Sequence, residues 1–295
     1  IFNFGNIIIG RCIMKNLFKL IISGAMFFPL TIFSQDYSFT NGNFYIKPHV
    51  GTEFALSGDV VNASTFSQTA ATTLDFSDGT IVTAAATGTV TVPDISFGDA
   101  FEQPIAWGGE VGYYVTDDTN LYFKVNRIDA DSNTFVAATA SVNATVTFGG
   151  NAANYTGGTL FEASFNDYEE LNYMFGAQKN FSFDNYSLYF GGGLGFASIK
   201  GLDLTVFETV TGNRNNETIK FSKDSTVFSG ELNTGVYHTF SNNFSLGLDL
   251  SYKYKGSPER DTTDFNNDNL DTLEHANDAD GQHVMGLNGS ISYRF

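Results

Sequence analysis

Cysteine is nearly absent. The single one, Cys12, precedes everything that reads as folded domain, so neither an internal disulfide framework nor a cysteine-rich zinc site can be built. Basic residues are scarce as well. Fifteen Lys and Arg stand against 32 Asp and Glu, a formal charge of −17 and the wrong sign for a nucleic-acid-binding surface. Four histidines leave little material for a histidine-based metal centre. Only 16% of residues are charged, yet there are 30 Phe, 14 Tyr and 30 Gly, a balance that suits neither a disordered chain nor a coiled coil. Beyond residue 34 no apolar run reaches the about 18 residues that a transmembrane helix needs.

The front of the chain has a different pattern. The chain opens on Ile1, and residues 1–13 read as upstream sequence translated in error. From Met14 come Lys15 and Lys19, an apolar run from Leu20 to Phe33, and then small Ser34. That is the layout of a secretory signal peptide over 14–34, cut between Ser34 and Gln35. The alternative, a membrane-anchoring helix, has too short an apolar core and is followed by polar QDYSFTNGN. Cys12 lies before the basic residues and not at the cut, so it is not placed to carry a lipid. Removal of the leader leaves a cysteine-free chain with 12 basic and 32 acidic residues, made of a lead-in over 35–43 and one domain over 44–295.

The period along that domain is two. In FSLGLDLSYKYK (244–255), Phe244, Leu246, Leu248, Leu250, Tyr252 and Tyr254 face one way. Ser245, Gly247, Asp249, Ser251, Lys253 and Lys255 face the other, which is a strand's separation and not a helix's. The pattern recurs at 44–54, 105–115, 121–127, 165–178, 186–197, 226–239 and 285–295, predicting eight strands. Pro48 removes a ladder donor from the first of them. The connections alternate: tight at Asp117–Asn120, Asn180–Asn185 and Ser241–Asn243, long at 57–104, 128–164, 200–225 and 256–283. The long ones hold 21 acids against 5 bases, so nearly all the net charge sits at one end.

One strand face is apolar throughout, as in Trp107, Val111, Leu121, Phe123, Tyr173, Phe175, Leu188 and Phe190. The other carries Lys47, His49, Glu53, Glu110, Lys124, Glu170, Glu231, Asp249, Lys253 and Arg294. Apolar outside and polar inside is stable only where the solvent is hydrocarbon, and there the sheet must close on itself. Aromatics near the tight turns, among them Tyr113, Phe181, Phe183, Phe240 and Phe244, read as an interfacial girdle. The expected fold is therefore all-β: a closed antiparallel transmembrane meander barrel of eight strands, with short periplasmic turns and long extracellular loops. The expected location is the outer membrane of a Gram-negative-type bacterium, with its lipid as solvent.

NFYIKPHVG, GGEVGYYVTDDTNLYFKV and the closing GLNGSISYRF make residues 44–295 resemble the small outer-membrane barrels, the OmpA-like transmembrane domain and its relatives. The resemblance implies that Tyr293 and Phe295 form a signal for the outer-membrane barrel assembly machinery. Loops 57–104 and 128–164 are long for that group.

The remaining chemistry is thin. The inward ionisable residues read as a structural polar network, since side chains fill an eight-stranded interior and isolated buried charges are costly. Gly191, Gly192, Gly193 and Gly195 sit in mid-strand with no helix following, which points to space for neighbours and not to a phosphate loop. Asp264, Asn266 and Asp268 match positions 1, 3 and 5 of a calcium loop, with Asp271 close by. Position 6 is Asn269 and position 12 is His275, so only weak divalent-cation association is expected. No serine elbow, paired-histidine motif or nucleotide fingerprint appears. The reading is a non-enzymatic barrel without a cofactor, with an envelope-structural or adhesin-like role for the acidic loops toward a surface ligand or divalent cations. Two alternatives stay open: a small porin of eight to ten strands, and a barrel-embedded hydrolase or acyltransferase that uses His49. Segments 80–92 and 134–148 also alternate, in Thr, Ala and Val. They are expected either as exposed hairpins that offer strand edges to a partner or, if they span, as strands nine and ten.

Overall fold

A computed structural model describes residues 43–75, 81–148, 151–208, 216–241, 243–265, 277 and 279–295. The leader, Cys12, His275 and the cation-loop residues Asn266, Asp268 and Asp271 lie outside the described residues. Eight strands close into a barrel: β1 (Phe44–Ser57), β6 (Ile105–Tyr114), β7 (Thr119–Ala130), β10 (Tyr168–Phe183), β11 (Tyr186–Ile199), β14 (Ser225–Thr239), β15 (Phe244–Lys255) and β16 (Gln282–Arg294). Each pairs antiparallel with the next barrel strand along the chain, and β16 closes on β1. Alternation explains the shape. Along β15 every odd-numbered position is buried and every even-numbered one exposed. Leu194, Phe175, Phe190, Phe196 and Trp107 are all more than half exposed, which is an outer surface for lipid.

Pro48 is accommodated by a gap in the ladder. The β1–β16 register runs Ile46↔Tyr293 and resumes at His49↔Ser290, so Lys47 and Pro48 have no partner there. On its other side Pro48 stays in register with Gly109. The connection expected over Asn180–Asn185 is shorter than its sequence suggests. Residues 180–183 continue β10 to a two-residue turn in which Asp184 takes a left-handed φ of 49°, which Asp tolerates. The strand expected over 165–178 begins instead at Tyr168. Asn166 Oδ1 accepts from the Asp203 amide and Asp167 Oδ1 from that of Ser132, so both side chains bind loop backbone and interrupt the ladder.

The long connections are themselves sheet. They contain β2 (Asp59–Val61), β3 (Ser64–Asp75), β4 (Ile81–Val92), β5 (Ile95–Ser96), a one-turn helix α1 (Phe97–Ala100), β8 (Thr134–Phe148), β9 (Asn151–Phe165), β12 (Asp203–Glu208) and β13 (Asn216–Lys220). Three of the four long loops join into one six-stranded sheet, in the order β13-β12-β9-β8-β4-β3. Segments 80–92 and 134–148 belong to this second sheet, so the barrel count is eight and not ten.

Candidate functional site

Two places concentrate unusual chemistry: the interior of the barrel and the sheet built from its loops.

Inside, charged side chains form a chain of contacts. Lys124 meets Glu231, whose other oxygen is 3.9 Å from Lys253. Lys253 meets Glu53, and Glu53 is 3.7 Å from Lys255, which donates to Glu170 at 2.6 Å. A second cluster lies nearer the tight turns. There Lys47 is 3.1 Å from Glu110 and 3.9 Å from Asp249, and donates to the Tyr237 hydroxyl at 2.9 Å. Tyr45 donates to Glu110 at 2.7 Å, Tyr189 donates to Asp249, and Ser290 donates to Asp249 at 2.7 Å. All of these ionic side chains are buried. Arg294 is half-buried at the turn end, its guanidinium 5.4 Å from the centre of the Tyr114 ring. With it, five carboxylates face five cations, so the interior is electrically balanced.

That balance is the physical condition for burying so many charges, because an isolated ion in low dielectric costs several kcal/mol. Between Lys47, His49, Lys124, Tyr189, Asn233 and Ser251 the interior leaves a cavity of about 10 Å³, on the order of one water molecule. The inward glycines make this packing fit. A Cβ at Gly193 would stand 2.8 Å from both the Tyr122 hydroxyl and Met174, and one at Gly191 would stand 2.5 Å from Gln178.

Sequence parity identified most of these groups, Lys255 among them, and it would have found the inward tyrosines Tyr45, Tyr122, Tyr189 and Tyr237 had it been applied to aromatics. Tyr45, Tyr122 and Tyr237 share the parity of a buried lysine or acid on their strands, and Tyr189 shares that of buried Ser187. His49 contacts Asn126 and, at 3.4 Å, the carbonyl oxygen of Lys47, and among the described residues neither a serine nor a carboxylate is its hydrogen-bond partner. His238 packs on Tyr186 and His283 on Tyr252 and Tyr254, so the three described histidines stand apart. Tyr293 and Phe295 stack edge-on at the end of β16, and Tyr293 also packs on Phe244. Asp264 accepts a hydrogen bond from the Lys220 amide at 2.9 Å. Among the described residues no group of three His, Cys, Asp or Glu is arranged to hold a metal.

The loop end of the barrel departs from a purely polar filling. Phe97, Phe101, Phe165, Phe221, Tyr168, Ile128 and Leu204 belong to one buried apolar cluster that also contains Ala106, Ala197, Ile199 and Val227 of the wall strands. Phe97 meets Tyr168 edge-on at 4.8 Å, and Phe101 stacks on Phe165 at 5.9 Å. An apolar cap therefore lies over the ionic interior. Sequence reading missed it because its residues come from loops far apart along the chain.

The loop sheet has two unlike faces. On one, Val82 is opposite Phe148, Ala84 opposite Val146, Gly88 opposite Val142 and Ala144 opposite Tyr155. On the other, Thr69 and Thr87 hydroxyls meet at 3.0 Å, as do those of Ser67 and Thr89, and Asn143 accepts from Thr156 at 3.2 Å. β3 and β13 are the sheet's edges. At the sheet's foot Asp59 faces Asp94, Asp280 and Asp99; burial first, and then those neighbouring charges, raise its carboxyl above the ordinary aspartate value.

No protein-family model matches the chain, and no curated protein matches it. Among solved structures it is similar to Neisserial surface protein A, at 13% identity over 85% of this chain and 97% of that one, with a TM-score of 0.36. It is also similar to Ail, the attachment invasion locus protein of Yersinia pestis, at 13% identity over 87% and 100%, TM-score 0.34. A third is the outer membrane protease OmpT of Escherichia coli, at 10% identity over 88% and 98%, TM-score 0.36. Their names denote a surface protein, an attachment invasion locus protein and an outer membrane protease. The barrel of this chain stands on its own closed ladder and inverted faces.

Proposed function

We propose that this chain is an exported, non-enzymatic outer-membrane barrel that does not conduct and that serves as a membrane anchor for a surface-contact sheet built from its loops. The single observation that carries this reading is the second sheet. A barrel needs only closure for stability, yet here three of the four long loops continue into six further strands. Its edge β3, STFSQTAATTLD, runs twelve residues without proline and without charge before Asp75, whereas the opposite edge β13 has five residues and carries Glu217 and Lys220. Natural sheets protect their edges with charge, proline or shortness. β3 has none of these, and an unprotected edge fits the addition of a partner's extended strand. The loops are taken as extracellular, the leader over 14–34 as the export signal, and Tyr293 and Phe295 as the assembly signal. The acidic loops remain available to divalent cations.

The small-porin reading is disfavoured by the ionic interior and the apolar cap, each of which borders a cavity of about 10 Å³ among the described residues. Replacing residues 64–91 by a short Gly-Ser turn tests the role of the sheet. Cells carrying the shortened protein should keep a folded, heat-modifiable barrel and lose the surface adherence that the full protein confers. Adherence equal to that of the full protein would refute the reading.

A further inference from the structure

The exposed apolar face of the loop sheet calls for an occupant, and we infer that it is the same face of a second copy of this chain. The inference rests on the surface-contact reading above, since it needs the sheet to stand outside the lipid.

Continuity is the first argument. The even-numbered row of β4 begins inside the molecule, with Val92 buried and Val90 packed against the apolar cluster. The same row continues outward through Ala86 and Ala84 to Val82, and it is joined laterally by Val146 and Phe148. In β4 that outer stretch is half-buried, and beside it the face lies open: Tyr155 is 64% exposed, Phe148 58% and Val142 41%. A face that is core at one end and bare at the other is an interface half filled.

Charge selects the occupant. The loops at 57–104 and 256–283 together hold 14 acids and one base, so two copies would repel wherever those acids meet. Across β3, β4, β8 and β9 the only ionisable acids or bases are Asp75, Tyr155 and Glu162, and neither of the two acids lies within the exposed apolar row. A strongly charged partner would find nothing to pair with there. An identical neutral face meets no repulsion, and a two-fold axis makes the contact self-complementary.

Area and shape agree. Four strands of ten paired residues make a patch of about 19 by 34 Å, on the order of 650 Å². Two copies would bury on the order of 1,300 Å², within the about 1,200–2,000 Å² of stable interfaces. Small residues at Ala84, Ala86, Gly88, Ala140, Ala144 and Gly157 leave the face flat enough for sheet-on-sheet packing. Such a dimer leaves both β3 edges free.

Single cysteines in a Cys12→Ser background test this. A Cβ at Gly88 meets nothing within 4 Å, so Gly88→Cys places a thiol on the apolar face without strain. Ala85→Cys places one on the opposite, Thr-rich face. With the full protein in outer membranes, a bis-maleimide spanning about 10 Å, the usual gap between packed sheets, should link Gly88→Cys into dimers at least tenfold more than Ala85→Cys. Adding Ala144→Glu should cut that yield at least tenfold while the barrel still shows its heat-modifiable shift. Equal linking through both faces, or linking indifferent to Ala144→Glu, overturns the proposal. So does a Gly88→Cys thiol that lipid vesicles shield from soluble maleimide without any cross-link, which would give the face to lipid. If both thiols label from outside intact cells and neither links, self-association fails while the surface reading stands. If neither labels until the outer membrane is opened, the surface reading itself fails.

Discussion

Replacing Lys253 by methionine probes the ionic interior at its most connected point. Lys253 is 1% exposed and bridges Glu53 and Glu231, so the substitution strands two buried carboxylates at once. Losing one partner of a buried pair costs about 3–5 kcal/mol. Here each carboxylate keeps another ammonium, Lys255 at 3.7 Å for Glu53 and Lys124 for Glu231, so the lower end, about 3 kcal/mol, is expected. Adding Glu53→Gln removes one of the stranded charges and leaves Lys255 with Glu170 at 2.6 Å. The double variant should therefore recover about 2 kcal/mol, the coupling energy of a direct contact. Trp107 is the only tryptophan and faces outward, so its fluorescence reports urea unfolding in lipid vesicles without a label. A Lys253→Met protein as stable as the parent, or a double variant less stable than either single one, would refute a cooperative ionic interior.

The two wall faces should respond oppositely to substitution: Leu248→Arg puts a charge into lipid at a cost of about 2–4 kcal/mol near the midplane, while Ser251→Ala, on the buried side, should unfold within about 0.5 kcal/mol of the parent. Equal stability of the two variants in vesicles would reverse the faces. In planar bilayers the protein should show little or no conductance, and large, stable single-channel steps would mean that the interior opens. In the β6–β7 turn, hydrogen bonds from Lys179, Thr116 and Thr119 hold the exposed Asp118 carboxyl down, from 3.8 to about 2. That contact is fully present above the unfolded value and is lost as pH falls through the folded one. The Thr119 hydroxyl proton resonance, which Asp118 anchors at 2.9 Å, should therefore titrate near pH 2 in the parent and not at all in Asp118→Asn. A midpoint at the ordinary aspartate value would show that the turn network does not form.

How much of this was legible in the sequence follows from contrast between faces. In 244–255 one face is Leu and aromatic and the other Ser, Asp and Lys, because lipid and lumen demand opposite chemistry; eight such segments gave the eight wall strands. Residues 64–75 and 151–165 are strands as long as those of the wall, 12 and 15 residues, yet Thr, Ala, Ser, Asn and Gly spread over both faces leave a contrast too weak to read locally. Their partners at 80–92 and 134–148 showed an alternation whose destination, wall or loop sheet, only pairing decides. The ionic interior was legible because a lysine or glutamate of inward parity has one place to go. The cap was not. Phe97, Phe101, Phe165 and Phe221 are brought together by the loops' own sheet, a long-range event that no local pattern encodes.

The way β8 and β9 grow out of β7 and β10 has a mechanical consequence. Only residues 131–133 separate β7 from β8, and residues 166–167 separate β9 from β10, so the hairpin of the loop sheet and the hairpin of the wall are consecutive stretches of the same two chain segments. Their rungs lie across the strands. A pull along those strands at the hairpin's tip loads the rungs in shear, many at once, and does not peel them one after another. Tension at the cell surface would then pass down two continuous lines into the barrel wall, where the whole closed ladder shares it.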